Sequence, residues 1–414
     1  MRFKFQNIFS DSMLRNSLYQ MLALSSNVII GFAFWVIAAR LCTTEAIGIA
    51  AALISVMSLP IALSRLGFDQ SLVKFLPIGN RSKIVFTTAT VTTFIAIILG
   101  VIAIITIDIW TVGLGIIKEH SIIFIIVLIA TSILSMFGVA FLALRQSKYF
   151  LIQSLLSNSK ILFISIFAFL GAIGIFISVG VANIIALIFS FIFLIRMGVK
   201  PKWIDLSFIK KSFKFSFANY LTIIFMTIPL LILPILILNT LGAEETGLFF
   251  IAYSISSSLF VVPTALSTSL FVEGSHGESM RQNAIKSVRV TFLILVPAIL
   301  VLFFFGSYLL GFFGQDYVRS LDLLRILILS SFFVSIFAIF VSIKKVHDEM
   351  GIIIILSGFI FTGLIILSYL LMPEFGIMGV GYAWFIVYLI VMIPIGVIVF
   401  REKWLQHGGD NHLS

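Results

Sequence analysis

The sequence contains few charged residues and a single cysteine. Charged residues make up 11% of the 414 residues and hydrophobic residues 61%, whereas a soluble domain has about 25% charged and about 45–50% apolar residues. This composition excludes a soluble globular fold, because the chain lacks the polar surface that such a fold presents to water. Cys42 cannot form an intramolecular disulfide, so cysteine usage does not indicate a redox compartment.

The sequence also lacks the common motifs of catalysis. No Walker A pattern is present, which argues against ATP hydrolysis by this chain. The histidines do not combine with cysteine in a metal-binding spacing, and we therefore expect neither an enzyme nor a metal site nor a cofactor. All five histidines lie in predicted loops or tails: His120, His276, His347, His407 and His412.

Long hydrophobic runs fill most of the chain, and the mean hydropathy is +1.21. A helix needs ~20 apolar residues to cross the hydrocarbon core of a bilayer, and it satisfies its own backbone hydrogen bonds there. The sequence therefore predicts an all-α polytopic membrane protein with about twelve transmembrane helices. The predicted spans are 15–39, 46–66, 84–107, 121–143, 151–173, 180–196, 214–238, 245–271, 287–310, 322–343, 350–372 and 379–400.

The distribution of lysine and arginine predicts the orientation of these spans. If both termini are cytoplasmic, 22 of the 27 basic residues fall on inner segments and four on outer segments. Arg65 remains near the inner end of the second span. Such an excess on cytoplasmic loops is typical of membrane proteins. The net charge of +10 is thus an orientation signal that also favours anionic lipid surfaces rather than nucleic acid.

The predicted spans repeat after 199 residues. This shift carries Glu45 and Gly48 onto Glu244 and Gly247, and it carries Gly180 onto Gly379. Because each half has an even number of spans, the two halves form a parallel pseudo-two-fold repeat. The predicted organisation is an N-terminal six-helix lobe (1–198), a basic cytoplasmic connector (199–213), a C-terminal six-helix lobe (214–400) and a cytoplasmic tail (401–414).

Lys160 is the ionisable residue that the repeat places deepest in the bilayer. Taken alone, it lies at the cytoplasmic start of the fifth span and extends its ammonium group to the surface. The repeat instead starts this span near Leu151, since the eleventh span starts near Met350. Lys160 then lies roughly 13 Å into the span, where an ammonium group must face a wet cavity or a partner. Polar neighbours in the sequence are Gln153, Asn158 and Ser159.

Five other polar residues are candidates for substrate binding, each with a structural alternative. Arg65 contacts an anion at the inner mouth of a cavity, or it reaches the surface or pairs with Asp69. One cation at the start of each half anchors the inner end of its span or contacts a headgroup. Two asparagines join helices or contact the substrate. The two cations are Arg15 and Lys214, and the two asparagines are Asn27 and Asn219.

Three segments resemble the polysaccharide-exporter family, the O-antigen-type flippases of the multidrug, oligosaccharidyl-lipid and polysaccharide exporter superfamily. They are residues 16–20 (NSLYQ), residues 38–41 (AARL) with Glu45 and Gly48, and residues 65–77 (RLGFDQSLVKFLP). The sequence similarity is greatest in the first two spans, whereas the twelve-span, two-lobe plan covers the whole chain.

The resemblance implies a flippase that moves a polyprenyl-diphosphate-linked oligosaccharide from the cytoplasmic to the outer leaflet of the cell membrane by alternating access. Expected partners are this lipid-linked oligosaccharide and membrane lipids, with glycosyltransferases or a polymerase as further candidates, and a monomer is expected. Two alternatives remain open. One is an ion-coupled multidrug extruder of the same superfamily, and the other is a membrane scaffold for glycosyltransferases that transports nothing.

Overall fold

The computed structural model describes residues 12–111, 113–260, 263, 280–347 and 349–401. These residues form helices and turns and contain no β-strand. Their fifteen α-helices are α1 (Ser12–Leu41), α2 (Thr44–Ser64), α3 (Phe68–Phe75), α4 (Arg81–Trp110), α5 (Ile116–Glu119), α6 (Ser121–Ala143), α7 (Ser147–Ser157), α8 (Lys160–Phe167), α9 (Ala172–Arg196), α10 (Leu206–Leu241), α11 (Ala243–Ser257), α12 (Met280–Phe313), α13 (Leu321–Val346), α14 (Met350–Phe375) and α15 (Ile377–Arg401).

The predicted all-α polytopic fold is confirmed. Eleven helical stretches in the described part of the chain are long and apolar enough to cross a membrane. They correspond in order to eleven of the twelve predicted spans. The remaining span, predicted at 245–271, begins as α11 and continues through a short 3₁₀ turn to Phe260. Residues 261–262 and 264–271 of that prediction lie outside the described residues.

The fifth and sixth spans differ from the predicted boundaries. The fifth runs over Ser147–Leu170 and the sixth over Ala172–Arg196, whereas the sequence predicted 151–173 and 180–196. Only Gly171, with a φ of +61°, separates the two spans. The turn is flanked by apolar residues, so hydropathy alone gives no signal for it.

The chain divides into two compact units, Met1–Phe250 and Ile251–Ser414. In the first unit, α2 packs against α4, α9 and α10, and α6 packs against α4 and α9. The α1 helix lies along α7 and α8. In the second unit, α14 and α13 both pack against α15, and α12 packs against α13. Because α10 packs against α2 and α3, it belongs to the first unit, and the lobe boundary at 199–213 stays a prediction.

A reciprocal glycine contact supports the predicted parallel repeat. A Cβ atom on Gly48 would lie 1.9 Å from the carbonyl oxygen of Ala243, and one on Gly247 would lie 2.3 Å from that of Thr44. Thr44 and Ala243 are separated by the same 199 residues as the two glycines. Gly247, the counterpart of Gly48, therefore approaches Thr44, the counterpart of Ala243, which is the pattern expected around a two-fold axis.

The constant shift of 199 residues is wrong for the last span of each half. α9 and α15 are both 25 residues long, and each begins directly after a glycine with positive φ, Gly171 (+61°) or Gly376 (+58°). The spacing of these glycines is 205 residues. The structural counterpart of Gly379 is thus Gly174 rather than Gly180, because the second half carries six more residues before its last helix.

Candidate functional site

Lys160 occupies the middle of a membrane span. The fifth span covers the 24 residues Ser147–Leu170, and Lys160 is the first residue of α8, after a break at Asn158 and Ser159. It lies 13 residues from the start of the span, roughly 20 Å along a helix with a rise of 1.5 Å per residue. Its Cα is therefore too deep for the interpretation that it begins the span at the surface.

The ammonium group of Lys160 lies over an aromatic ring. Its Nζ lies 5.2 Å from the ring centroid of Phe34 in α1, and Phe34 is fully buried. Among the described residues, none of the ion pairs includes Lys160. A cation–π contact of this kind is worth about 0.5–2 kcal/mol, which offsets only part of the cost of a charge at this depth.

Asparagine and hydroxyl side chains connect the break beside Lys160 to neighbouring helices. Asn158 Nδ2 donates a hydrogen bond to Asn27 Oδ1 in α1 at 2.7 Å. Ser157 Oγ donates to Asn183 Oδ1 in α9 at 2.5 Å, and Asn183 Nδ2 donates to Thr131 Oγ1 in α6 at 3.0 Å. Hydrogen bonds between helices satisfy polar groups that would otherwise face hydrocarbon. Asn27 thus joins helices, although its side chain is exposed.

A second polar site lies at the end of α2. The helix ends at Ser64, and the next residues turn sharply, with φ values of +44° at Leu66 and +77° at Gly67. Positive φ at a residue such as leucine costs of order 1–3 kcal/mol. The turn brings Arg65 and Asp69 to the same cavity of about 230 Å³, between α2, α6 and α10. Its other polar lining residues are Ser58, Thr131, Ser135, Tyr220 and Thr227.

Two charged side chains that line this cavity each contain a buried atom without a recorded partner in the described residues. Arg65 Nε and Asp69 Oδ1 are both buried, and neither has a hydrogen-bond partner among the residues that the structure describes. Buried polar atoms of this kind are uncommon, because leaving one unpaired costs ~1–3 kcal/mol, and more for a charged group. The cavity is therefore lined by one cationic and one anionic side chain whose hydrogen-bonding capacity is only partly used within the described structure.

The α10 wall of the cavity is fixed at two places. Tyr220 Oη donates a hydrogen bond to the carbonyl oxygen of Leu63 at 2.5 Å. Leu63 lies in the last turn of α2, where carbonyl groups have no N–H donor within the helix. At the start of α10, Asp205 accepts hydrogen bonds from the backbone N–H groups of Ser207 and Phe208 at 3.1 and 3.2 Å. The hydrogen bond from the Ser207 hydroxyl holds the pKa of Asp205 below its ordinary value, with smaller contributions from Phe208 and Lys83.

The structure does not bring all predicted site residues together. Arg15 lies exposed in the first turns of α1, and the neighbouring Asn16 accepts a hydrogen bond from the Ser147 backbone N–H at 3.0 Å. The backbone at Lys214 and Asn219 belongs to α10, but their side chains lie outside the described residues.

The sequence analysis did not single out Asn183 and Thr131, and it considered Asp69 only as a possible local partner of Arg65. The signal for Asn183 was a polar residue within an apolar run, and it was overlooked because the sixth span was predicted to start close to it. Its true position is eleven residues after the start of α9 at Ala172. The cavity could not be found in this way, because it joins residues that are far apart in the chain.

The chain is similar to one protein family in sequence and to several membrane transporters in fold. A family model described as "Polysaccharide biosynthesis protein" matches residues 13–271, and no curated protein matches the chain significantly. The inward-facing structure of a multidrug resistance MATE family transporter of the MOP superfamily aligns with a TM-score of 0.69 at 15% identity, over 93% of this chain and 98% of that one. The outward-facing structure of such a transporter gives 0.64 at 14% identity, over 95% of each chain.

A MOP superfamily transporter from Pyrococcus furiosus, described by the reverse polarity of its binding pocket, also aligns with a TM-score of 0.64 at 14% identity, over 95% of each chain. At these identities the likeness shows the fold alone, which is the two-lobe helical fold of MOP superfamily transporters. Because the family model covers more than half of the 414 residues, this multi-pass membrane protein belongs to the polysaccharide biosynthesis protein family, and the solved structures that it resembles are described as transporters.

Proposed function

We propose that this protein is a flippase that moves a polyprenyl-diphosphate-linked oligosaccharide from the cytoplasmic to the outer leaflet. The observation that carries the proposal is Lys160, a cation in the middle of a span that forms no ion pair with the described carboxylates. An ionisable residue inside the bilayer faces a wet cavity or a partner. A diphosphate supplies the opposite charge, and lysine binds phosphate as a point charge.

The chemistry of the substrate explains why such a path is needed. A sugar–diphosphate headgroup combines about two negative charges with many hydroxyl groups, and each unpaired polar group costs several kcal/mol in hydrocarbon. The polyprenyl tail stays in the bilayer while the head crosses beside polar side chains. Lys160 supports this crossing at mid-span, and Arg65 supports it at the end of α2. Further candidates are Arg15, Lys214, Asn27 and Asn219.

The proposed location is the cell membrane, with both termini in the cytoplasm. This orientation follows from the excess of lysine and arginine on the segments assigned to the inside. It places the end of α2 and the Arg65 cavity towards the cytoplasm, where the headgroup enters. Glycosyltransferases or a polymerase are the proposed protein partners, since the transported glycan is made on one side and used on the other.

An ion-coupled multidrug extruder is the second candidate function. It is favoured by the fold, which is shared with multidrug resistance MATE family transporters, and by the unpaired carboxylate oxygen of Asp69. The transporter from Pyrococcus furiosus described by a pocket of reverse polarity shows that this fold accommodates a different polarity at its site. Lys160 disfavours a cationic drug, because a like charge at mid-span repels it.

The test is leaflet-resolved translocation of a polyprenyl-diphosphate oligosaccharide in proteoliposomes. Wild-type protein is compared with Lys160→Ala, Arg65→Ala and the control Lys148→Ala. Lys148 suits this purpose because it is an exposed lysine in the same span, 12 residues before Lys160. We expect Lys148→Ala to translocate like the wild type and Lys160→Ala to lose at least about tenfold in rate, since a charge-assisted phosphate contact is worth ~1.5–3 kcal/mol.

The same vesicles distinguish the alternatives. Wild-type protein that moves no glycan lipid but moves cationic dyes under an ion gradient is an extruder. Equal translocation by Lys160→Ala and Lys148→Ala removes Lys160 from the path. Glycan export that continues in cells carrying a protein with Lys160→Ala and Arg65→Ala would instead support the scaffold interpretation.

A further inference from the structure

The cavity at the end of α2 differs in chemistry from the surroundings of Lys160. Lys160 forms no ion pair with the described carboxylates, whereas Arg65 and Asp69 place both signs of charge on one cavity of about 230 Å³. The two side chains lie four residues apart across the strained turn at Leu66. The formal charge that they bring to the cavity is zero. A site of this kind does not favour an anion or a cation, because each meets one group of the same sign.

The remaining lining residues also offer both donors and acceptors. Ser58 Oγ donates to the Ile54 carbonyl oxygen at 2.7 Å, and Ser135 Oγ donates to that of Ser132 at 2.8 Å. Their hydrogen atoms are therefore used within their own helices, and their lone pairs remain available to a ligand. Thr131 has the opposite arrangement, because its Oγ1 accepts from Asn183 at 3.0 Å and its hydrogen is available.

The size of the cavity limits what it can hold. About 230 Å³ is the volume of roughly eight water molecules at ~30 Å³ each, and it is smaller than the ~300–1,000 Å³ of sites for drug-sized ligands. The apolar part of the wall comes from α2 and α10 and includes Ile61 and Ile223. The space suits one ring with hydroxyl groups on its edge and C–H groups on its faces.

We propose that the cavity formed by Arg65, Asp69 and the hydroxyl groups of α2 and α6 is a carbohydrate subsite that binds one neutral sugar ring of the transported headgroup. The Asp69 carboxylate accepts a hydrogen bond from a sugar hydroxyl, and the Arg65 guanidinium donates one to a neighbouring sugar oxygen. The diphosphate is bound elsewhere, at Lys160, because Asp69 repels it. This inference rests on the proposed function. It assigns the diphosphate and the sugar of the headgroup to two different sites.

The test separates the sugar from the diphosphate by measuring two affinities of the full-length protein in nanodiscs. One ligand is a bare polyprenyl diphosphate, and the other is a panel of the same lipid carrying a single neutral hexose or N-acetylhexosamine. The measured quantity is the affinity ratio, which is the affinity for the sugar-bearing lipid that binds most tightly divided by the affinity for the bare lipid. We expect a ratio of at least about ten in the wild type, since hydrogen bonds to charged groups are worth ~1.5–3 kcal/mol each.

Three variants identify the residues responsible for this ratio. Asp69→Asn keeps the shape of the side chain and is expected to bring the ratio close to one while it leaves the affinity for the bare lipid within twofold. Asp108→Asn is the matched control, because Asp108 is exposed and pairs with Lys118 away from the cavity, and it keeps the wild-type ratio. Lys160→Ala lowers both affinities and keeps the ratio, so failure of the diphosphate site is distinguishable from failure of the sugar site.

Arg65→Gln is the second cavity variant, and it answers the question if Asp69→Asn does not fold. It is also expected to reduce the affinity ratio without lowering the affinity for the bare lipid. The proposal is overturned if the wild-type ratio is close to one for every sugar in the panel, or if both cavity variants keep the wild-type ratio. It is also overturned if the two cavity variants lower the affinity for the bare lipid as much as the affinity for the sugar-bearing lipid, because the cavity would then bind the diphosphate.

Discussion

The contact between α2 and α11 predicts that replacing Gly48 even by alanine lowers the stability of the protein. The added Cβ atom would lie 1.9 Å from the Ala243 carbonyl oxygen and 2.8 Å from the Gly247 nitrogen. Both contacting atoms belong to the backbone, so no rotamer change relieves the overlap. Restoring an ordinary separation of about 3.4 Å requires the two helices to move apart by about 1.5 Å.

The expected loss of stability follows from two opposing contributions. Overpacking a well-packed interior costs ~1–3 kcal/mol, and a backbone clash lies at the upper end of that range. Alanine is favoured over glycine in a helix by ~1 kcal/mol. The net loss for Gly48→Ala is therefore about 2 kcal/mol, or about 4–8 °C in Tm for a folding unit of ~150–250 residues.

The assay is thermal unfolding of the purified protein in detergent, followed by intrinsic fluorescence at one fixed scan rate. Gly31→Ala is the matched control, because Gly31 also lies within a helix but a Cβ atom added there would meet no other atom within 4 Å. Its Tm is expected to stay constant or rise. Equal Tm values for Gly48→Ala and Gly31→Ala would refute the close approach of α2 and α11.

Three further predictions concern hydrogen bonds of the first unit. Tyr220→Phe leaves the Leu63 carbonyl oxygen without its donor and is expected to cost about 1–2 kcal/mol, measured as a lower Tm than in the wild type. A double-mutant cycle of Asn27→Leu and Asn158→Leu is expected to give a coupling energy of about 1 kcal/mol, because the two side chains bond each other; additive effects would contradict that bond. The lowered pKa of Asp205 means that its capping of α10 is present above the ordinary pKa of ~3.9 and is lost as the pH falls through the lowered value. Replacing its hydroxyl partner by Ser207→Ala should therefore move the acid loss of Tm to higher pH.

Much of the fold could be predicted because the bilayer imposes simple rules. Each span needs a long apolar run, and such runs identify eleven of the helical stretches that the structure describes. The repeat also predicted that Lys160 lies deep in the bilayer, since it placed the start of the fifth span before that residue. What failed was the boundary at Gly171, where a single residue separates two apolar helices. A turn this short changes the direction of the chain without changing its hydropathy.

The cavity was not predictable in the same way. Arg65 and Asp69 are close in sequence, and a local pair between them was one expectation. The structure instead directs both towards a space whose other walls come from α6 and α10. Those walls are supplied by Thr131 and Tyr220, about 65 and 155 residues further along the chain. Hydropathy and motif spacing carry no information about which of many serine, threonine and tyrosine side chains meet at one place.

The polar groups of the first unit form a connected series rather than two isolated sites. Thr131 lines the Arg65 cavity and also accepts a hydrogen bond from Asn183. Asn183 in turn accepts one from Ser157, which immediately precedes the helix break beside Lys160.

In an apolar environment each member of such a series must keep a partner, because an unpaired polar group is costly there. A ligand that accepts a hydrogen bond from Thr131 in the cavity therefore contacts one end of this series, and a shift of α7 at the break acts on its other end. The sugar and the diphosphate of one headgroup would in this way act on the same chain of hydrogen bonds. Asn183→Leu is then expected to weaken transport more than it weakens the binding of either ligand, and equal losses in transport and in binding would show that the two sites act independently.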